Sequence, residues 1–256
     1  MYSKRGRKAQ VTLFVILAIV IVGIVLAVYF LIPKTKPPAN SSEPLNPTAY
    51  LQSCYNDNLE PYLSEISLQG GYFQPSPFFK IIEDGDEIKM QFLSSQGIIQ
   101  KPLIEQDIED QLETKMKSIA KNCIKNYAAG LITKGNQVTT CNQNLLTLDI
   151  TLEPDKVFSN VTCKINITTK DDKKLAFSQF SIYQDSQLYG VVSLARDILN
   201  AERTNNIQEV LELIVNYQLS HPEVLIFREE RTQTPYQDIT YRIIYGENKF
   251  YFAIRK

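Results

Sequence analysis

The chain has 256 residues, of which 44% are hydrophobic, and a formal net charge of −1. That length allows one ordinary domain, or two small ones, in addition to any targeting segment. Lysine and arginine do not cluster beyond the first eight residues, which argues against nucleic-acid binding because that function needs a basic face.

The first predicted element is a transmembrane helix over residues 11–32. This run carries no charged side chain, and it meets the length of about 20 apolar residues that a helix needs to cross a bilayer. A cleaved secretory signal has a shorter apolar core that ends at a small-x-small site. The far end here reads Tyr29-Phe30-Leu31-Ile32-Pro33, which contains no such site, so the sequence predicts a signal-anchor that stays on the protein.

The basic residues around this segment predict its orientation. Four precede it and two follow it: Lys4, Arg5, Arg7 and Lys8 before, Lys34 and Lys36 after. The side richer in lysine and arginine stays in the cytoplasm. Residues 1–10 are therefore predicted to be cytoplasmic, and everything after residue 32 to lie outside a single-pass cell-membrane protein. Setting the four leading basic residues aside changes the formal net charge from −1 to −5 for the outer part.

The start of the apolar segment resembles the class III signal of archaeal type IV pilin-like proteins. The resemblance rests on Lys8, Ala9, Gln10 and Thr12, and it implies cleavage between Ala9 and Gln10 by a pilin-type peptidase. The wider pilin family usually has glutamate at the fifth mature position, where this chain has Phe14. An uncut anchor is therefore preferred, with the processed pilin-like subunit as an alternative.

Residues 33–48 form a proline-rich stretch that predicts a stiff, extended linker. An α+β domain is predicted over residues 49–256. Its first helix, over residues 49–68, repeats apolar residues at helical spacing, with a kink or break expected at Pro61. Gly70 and Gly71 end that helix. Short strands at Phe78–Ile82 and Ile88–Leu93 follow, joined by an Asp84-Gly85 turn.

An amphipathic helix is predicted from about Leu103 to Tyr127. Residues 134–182 then switch to period two, which indicates an antiparallel β-meander with one wet face. Residues 190–219 are again helical and interrupted near Thr204–Asn206, with Ile207, Val210, Leu211 and Ile214 expected to face inward. The last predicted strands are Val224–Arg228, Ile239–Tyr245 and Lys249–Ile254.

All four cysteines fall outside the membrane in this topology, so disulfides are expected. Three pairings are open. Cys54 and Cys123 lie on the apolar stripes of two predicted helices, which favours that pair and leaves Cys141 with Cys163. Three Asn-x-Ser/Thr sequons, at Asn40, Asn160 and Asn166, are candidate glycosylation acceptors.

Two stretches, LQSCYNDNLEPYLSEISLQGGYF and KNCIKNY, followed by the β-meander, resemble a widespread set of archaeal secreted proteins of uncharacterised activity. The resemblance covers most of the chain and includes the start of the apolar segment, Cys54 and Cys123. It implies location and fold, and it implies no mechanism.

The sequence contains no recognisable catalytic, cofactor or metal motif. Its single histidine, His221, follows a predicted helix end, and the acidic run Glu83–Glu87 is typical of a hairpin turn. We therefore expect no cofactor and no enzyme, but a binding or structural module of the cell surface. Such a module would contact the bilayer through residues 11–32, and an envelope protein or a second copy through its domain. The alternative is an extracellular hydrolase, which would need a pocket lined by carboxylates of raised pKa.

Overall fold

The computed structural model describes residues 46–83, 85–233 and 236–256. Apart from Asn46, they belong to a single unit, Pro47–Lys256, which begins two residues before the predicted domain boundary. The unit is α+β, with four helices: α1 Pro47–Leu68, α2 Ile104–Thr133, α3 Leu188–Glu202 and α4 Ile207–Ser220. Its strands are β1 Phe78–Glu83, β2 Asp86–Ser95, β3 Ile98–Ile99, β4 Gln137–Thr139, β5 Thr147–Glu153, β6 Lys156–Thr168, β7 Lys174–Asp185, β8 Val224–Gln233, β9 Tyr236–Tyr245 and β10 Asn248–Arg255, and a 3-10 turn covers Gln143–Leu145.

The predicted cytoplasmic segment, the apolar segment and almost all of the linker lie outside the described residues. Of the helices in the described ranges, none is both long and apolar enough to cross a bilayer. The transmembrane helix predicted over residues 11–32 therefore stays a prediction.

Strands β5, β6 and β7 form the predicted antiparallel meander, with β6 in the centre. The short strand β4 pairs with the far end of β6, at residues 166–168. Buried and exposed residues alternate along β5 and along β6, from Val157 to Ile167. This alternation puts one face of the four-stranded sheet against the helices and leaves the other face in water.

The C-terminal strands join the β1–β2 hairpin in a six-stranded sheet of order β1-β2-β10-β9-β8, with β3 on β2. All pairings are antiparallel except that of β2 with β10, which is parallel. All of these strands except the two-residue β3 were predicted, but the pairing of β2 with β10 was not. It joins residues about 160 positions apart, and no local pattern specifies such a pairing.

Helices fill the space between the two sheets. Helix α1 contacts β7 of one sheet and β10 of the other, and α3 contacts β5 and β6 as well as β9 and β10. Helix α1 continues through Pro61, so the predicted break there is wrong. Pro61 lies on the exposed side together with Asp57, whose carbonyl loses its helical partner at a position where water can replace it.

Both edges of the four-stranded sheet are covered by side chains from the helices. On α2, Glu113 accepts a hydrogen bond from the Ile150 N–H (2.9 Å), and Glu109 accepts one from the Leu152 N–H (2.8 Å). On α1, the Gln52 amide bonds both the N–H and the C=O of Tyr183 on β7. Asn56, one turn later on α1, donates to the same carbonyl. The helices therefore occupy backbone groups that edge strands otherwise leave open.

Of the two expectations about the later helices, one is confirmed and the other is partly wrong. The break between α3 and α4 is confirmed, and the Asn206 side chain accepts a hydrogen bond from the Gln208 N–H at the start of α4. Val210 and Ile214 are buried as expected, but Ile207 and Leu211 are 45% and 48% exposed. The inward placement of Ile207 and Leu211 was wrong, because α4 packs on α3 and β8 over a narrower face than its apolar residues cover.

Candidate binding groove

Two disulfides hold the domain together. Cys54 on α1 is bonded to Cys123 on α2, and Cys141 is bonded to Cys163 on β6. The first pair joins the two helices that cover the four-stranded sheet, as the inward positions of both residues predicted. The second fixes the segment after β4 to the central strand. The predicted pairing is therefore the one in the structure.

An open groove of about 630 Å³ lies between the end of α1, the segment after it, and the β1–β2 hairpin. Its floor is formed by five apolar side chains: Leu68, Phe73, Pro75, Phe78 and Ile88. The volume is within the range of sites that hold small ligands or peptide side chains. We treat this groove as the candidate functional site.

The floor of the groove depends on a tight exit from α1. Gly70 and Gly71 take positive φ angles of 73° and 88°, and the Gly71 N–H bonds the carbonyl of Ile66 across the helix end. A Cβ on Gly70 would lie 3.1 Å from both the Gln91 Cβ and the Tyr251 carbonyl oxygen. Glycine is therefore required here by conformation and by space together.

Two side-chain amides, the half-buried Gln111 and the buried Gln91, fix the segment that follows. Gln111 of α2 accepts from the Phe73 N–H (3.1 Å) and donates to the Gly71 carbonyl (2.9 Å). Gln91 of β2 accepts from the Ser76 N–H (2.8 Å) and donates to the Phe92 carbonyl. Because these irregular backbone groups are bonded, one wall of the groove is held in a defined shape.

The hairpin wall is anchored by a small buried apolar cluster contributed by β1, β2 and β10, against which Leu68 of α1 packs. It consists of five buried residues: Phe79, Met90, Phe92, Tyr251 and Ala253. Phe78, the preceding residue of β1, projects from the opposite face of the strand and also lines the groove. Phe78 remains 40% exposed.

Two aromatic rings of the groove lie close to lysine side chains, of which Lys89 lines the groove and Lys115 does not. The Lys89 ammonium lies 5.3 Å from the centre of the Phe78 ring, and that of Lys115 lies 5.1 Å from the centre of the Phe73 ring. Glu87, on the same hairpin, is paired with Lys80 (2.9 Å), and this hydrogen bond lowers the pKa of its carboxyl. The arrangement can hold an apolar group between charged rims. Its lining residues include no nucleophile beside a base.

A second cavity, of about 380 Å³, lies where α1, the end of β7 and the β9–β10 turn meet. Three carboxylates line it, those of Glu60, Asp185 and Glu247, together with Lys249. Within the parts of the chain that the structure describes, no group of histidine, cysteine, aspartate and glutamate side chains is arranged to hold a metal ion.

The most buried charges lie elsewhere. Glu202 is held by Lys256 (2.7 Å) and Arg228 (3.1 Å), and the Tyr241 hydroxyl donates to it. Burial acts to raise the pKa of Glu202, but the hydrogen bonds from Lys256 and Tyr241 and the charges of Lys256 and Arg228 outweigh it, so its pKa is lowered. This cluster ties the end of α3 to the six-stranded sheet and lines neither cavity.

Asp238 makes a second buried pair, bidentate to Arg255 at 2.8 and 3.0 Å. A carboxylate of raised pKa is also present. Burial raises the pKa of Glu109, the Leu152 N–H lowers it, and the charges of Asp110, Glu113 and Glu105 add to the increase. Glu109 covers the β5 edge and lines neither cavity, so it does not form the pocket that a hydrolase needs.

The remaining predicted positions are dispersed. Asn166 is exposed on β6, and Asn160 is half-buried on the same strand. His221 ends α4 with its ring stacked on Tyr217 at 4.3 Å, so it is a helix-end residue. The Glu83–Glu87 run forms the β1–β2 turn, as predicted, although Asp84 is not described. The candidate processing pair, Ala9 and Gln10, and the Asn40 sequon lie outside the described residues.

Sequence reasoning did not find the groove. Each element around it was predicted, but its walls come from α1, the loop after it and a hairpin, whose relative placement depends on tertiary packing. The doubled glycine at Gly70 and Gly71 was the one local signal of a close backbone approach. A scan against protein-family models, a search of curated proteins and a search of solved structures returned no match.

Proposed function

We propose that this chain is a single-pass membrane protein whose α+β domain lies on the outer side of the cell membrane and acts as a binding or structural module of the envelope. The anchor would be residues 11–32, and the proline-rich linker would hold the domain away from the bilayer. The proposal includes no cofactor, no metal and no nucleic-acid partner.

The two disulfides carry this proposal. All four cysteines are paired, and such bonds persist in oxidising compartments and are rare in the cytosol. Only the outward orientation predicted from Lys4, Arg5, Arg7 and Lys8 places them in such a compartment. The disulfides and the basic residues before the apolar segment therefore both favour the outer side of the membrane for the domain.

The groove supports binding over catalysis. Its floor is apolar, its rim is charged, and no acid–base pair points into it. We place contact with an apolar segment of an envelope protein here, because the groove is open to solvent and bounded by side chains of both signs. The acidic side chains are those of Glu65 and Glu87, and the basic one is that of Lys89.

Location is tested on the native full-length chain in intact cells. External protease should digest the domain, and intact-mass measurement should show that reduction adds about four hydrogens for two bridges. A protected domain with four free thiols would refute the outward orientation. The same mass measurement shows whether the N-terminus is cleaved. A chain that begins at Gln10 is a processed pilin-like subunit, and one that retains residues 1–9 is an anchor.

Binding is tested by replacing Phe78 with a photo-crosslinking amino acid in cells that produce the full-length chain. We expect one adduct with an envelope protein, weakened by Lys89→Glu at the groove rim and unchanged by Lys164→Glu on the exposed face of β6. Adduct formation that is equally strong in both variants would argue against the groove as the contact site.

A further inference from the structure

One edge of the six-stranded sheet is open. Strand β8 pairs with β9 on one side, and the carbonyl of Val224 points to the other side, where the Gln218 side chain of α4 donates to it at 3.4 Å. Because backbone groups alternate along a strand, those of Ile226, Arg228 and Glu230 point the same way. Within the described chain, no partner reaches these three residues' outward N–H and C=O groups.

An apolar stripe overhangs this edge. Helix α4 exposes four apolar side chains spaced four residues apart, namely Ile207, Leu211, Val215 and Leu219, at 45%, 48%, 51% and 77%. At 100° per residue, Gln218 projects between Ile207 and Leu211. Since Gln218 reaches the outward carbonyl of Val224, the stripe lies on the open side of β8 and away from β9.

Charged side chains along this edge disfavour pairing with strands whose charges do not complement them. Residues 228–231 read Arg-Glu-Glu-Arg, and like charges opposed across a ladder are destabilising. An antiparallel copy of β8 centred on Arg228 opposes Arg228 to itself and forms no opposite-charge pair. One centred on Glu230 pairs Glu229 with Arg231 but overlaps only residues 227–233, whereas one centred on Glu229 overlaps residues 225–233. Centred on Glu229, the same pairing places Arg228 opposite Glu230 twice. The two facing Glu229 carboxylates are each held by Arg242 of their own chain.

We propose that the β8 edge and the α4 stripe together form an interface with a second copy of this chain. Strand β8 pairs antiparallel with its counterpart about a two-fold axis at Glu229, which joins two six-stranded sheets into one. The α4 stripes then meet across the same axis. Rows of side chains spaced by four residues pack on one another at a crossing angle near −50°. This interface does not depend on the side of the membrane on which the domain lies.

A second copy is the occupant that fits because the surface is its own complement. Charge pairing and strand overlap together favour the register centred on Glu229, the edge supplies hydrogen-bonding groups of both kinds, and the helix row packs on an identical row. A lipid surface would use the stripe but not the open edge, and α4 carries Glu209 and Glu212 and no basic residue.

Cysteine crosslinking tests the register in the purified full-length chain in detergent. Glu229→Cys should form a disulfide-linked dimer on mild oxidation, since facing residues lie about 4.5–5.5 Å apart between Cα atoms. Arg231→Cys is the matched control on the same face. Its two copies would lie about 13 Å apart along the strands, too far for a bond. We expect at least a tenfold higher dimer yield for Glu229→Cys.

The stripe is tested in the Glu229→Cys background. Leu211→Glu should lower the dimer yield at least tenfold, and Leu145→Glu, at an exposed leucine before β5, should leave it unchanged. Thermal unfolding checks that each variant folds, which is expected because both leucines are exposed. Equal crosslinking of the two cysteine variants overturns the proposal, and so does a monomeric Glu229→Cys chain. A folded Leu211→Glu variant that still crosslinks fully also overturns it.

Discussion

The Glu113 carboxylate on α2 accepts the backbone N–H of Ile150 on β5, and one turn earlier Glu109 does the same for Leu152. The spacings explain the match, since four residues of a helix advance about 6 Å and two residues of a strand about 6.7 Å. Helix α2 therefore runs against β5 in the opposite direction and supplies acceptors for two alternate residues of the strand. A side-chain ladder takes the place of a further strand.

Removing one step of that ladder should open the β5 edge. We expect Glu113→Ala to lower stability by about 1.5 kcal/mol, because a hydrogen bond to a charged acceptor is lost. Hydrogen exchange should quicken at Ile150 and much less at Leu152. Glu113→Gln keeps an acceptor oxygen and should restore most of the protection. Unchanged exchange at Ile150 in the alanine variant would show that the bond contributes nothing.

Glu202 should make the domain sensitive to acid. Its pKa is lowered in the folded state from the ordinary value of 4.5, so its ionised form stabilises the fold above that pH, and this stability is lost as the pH falls through the folded value. Glu202→Gln should cost about 3 kcal/mol at pH 7, because Arg228 and Lys256 lose their buried partner. Denaturant unfolding from pH 7 to pH 3 should show the gap to wild type closing.

The matched control for that series is Asp149→Asn, at an exposed position on the wet face of β5. It should follow the wild-type curve within about 0.5 kcal/mol at each pH. A gap between Glu202→Gln and wild type that is equally wide at pH 3 and pH 7 would contradict a lowered pKa as its source.

The two disulfides should differ in their contribution to stability. The Cys54–Cys123 bond spans 69 residues of sequence and the Cys141–Cys163 bond spans 22. On a chain-entropy basis, the paired serine variants should lose about 4 and about 3 kcal/mol respectively. Unfolding of each double variant in urea measures both values. The reverse order would indicate that strain or solvation, and not loop length, decides them.

A comparison of Gly70 with Gly85 separates the requirement for a positive φ from the lack of space for a Cβ. Both have positive φ, 73° and 95°, but a Cβ on Gly85 would meet no atom within 4 Å. Gly85→Ala should therefore cost only the backbone penalty of about 1–2 kcal/mol. Gly70→Ala should cost about 1–3 kcal/mol more, because the methyl group would press on Gln91 and on the Tyr251 carbonyl. If Gly70→Ala and Gly85→Ala lowered the melting temperature equally, the backbone around Gly70 would have moved to accommodate the added methyl group.

The local patterns of the sequence were enough to predict most elements of the domain, and not their partners. Period two gave β5 and β6, because alternation is decided within one strand. The Cys54–Cys123 bond followed because each cysteine lies on the apolar stripe of its own helix and therefore points into the shared core. Helix α2 was predicted six residues too short, since its last turns contain Ala128, Ala129 and Gly130 and show little periodicity. The groove and the parallel pairing of β2 with β10 depend on packing between distant segments. The stripe on α4 did have a local signal, because its apolar residues cover more of the helix than a neighbour could bury.

The bond between Cys54 and Cys123 also determines how the domain would respond to mechanical tension. A pull transmitted from the preceding residues would reach α1 at Pro47 and could unwind it only as far as Cys54, about two turns in. Beyond that point the force passes through a covalent bond into the middle of α2, where Ala120 and Tyr127, about one turn on either side of Cys123, are buried. Residues 55–122, which include both walls of the groove, form a closed covalent loop and do not bear the load.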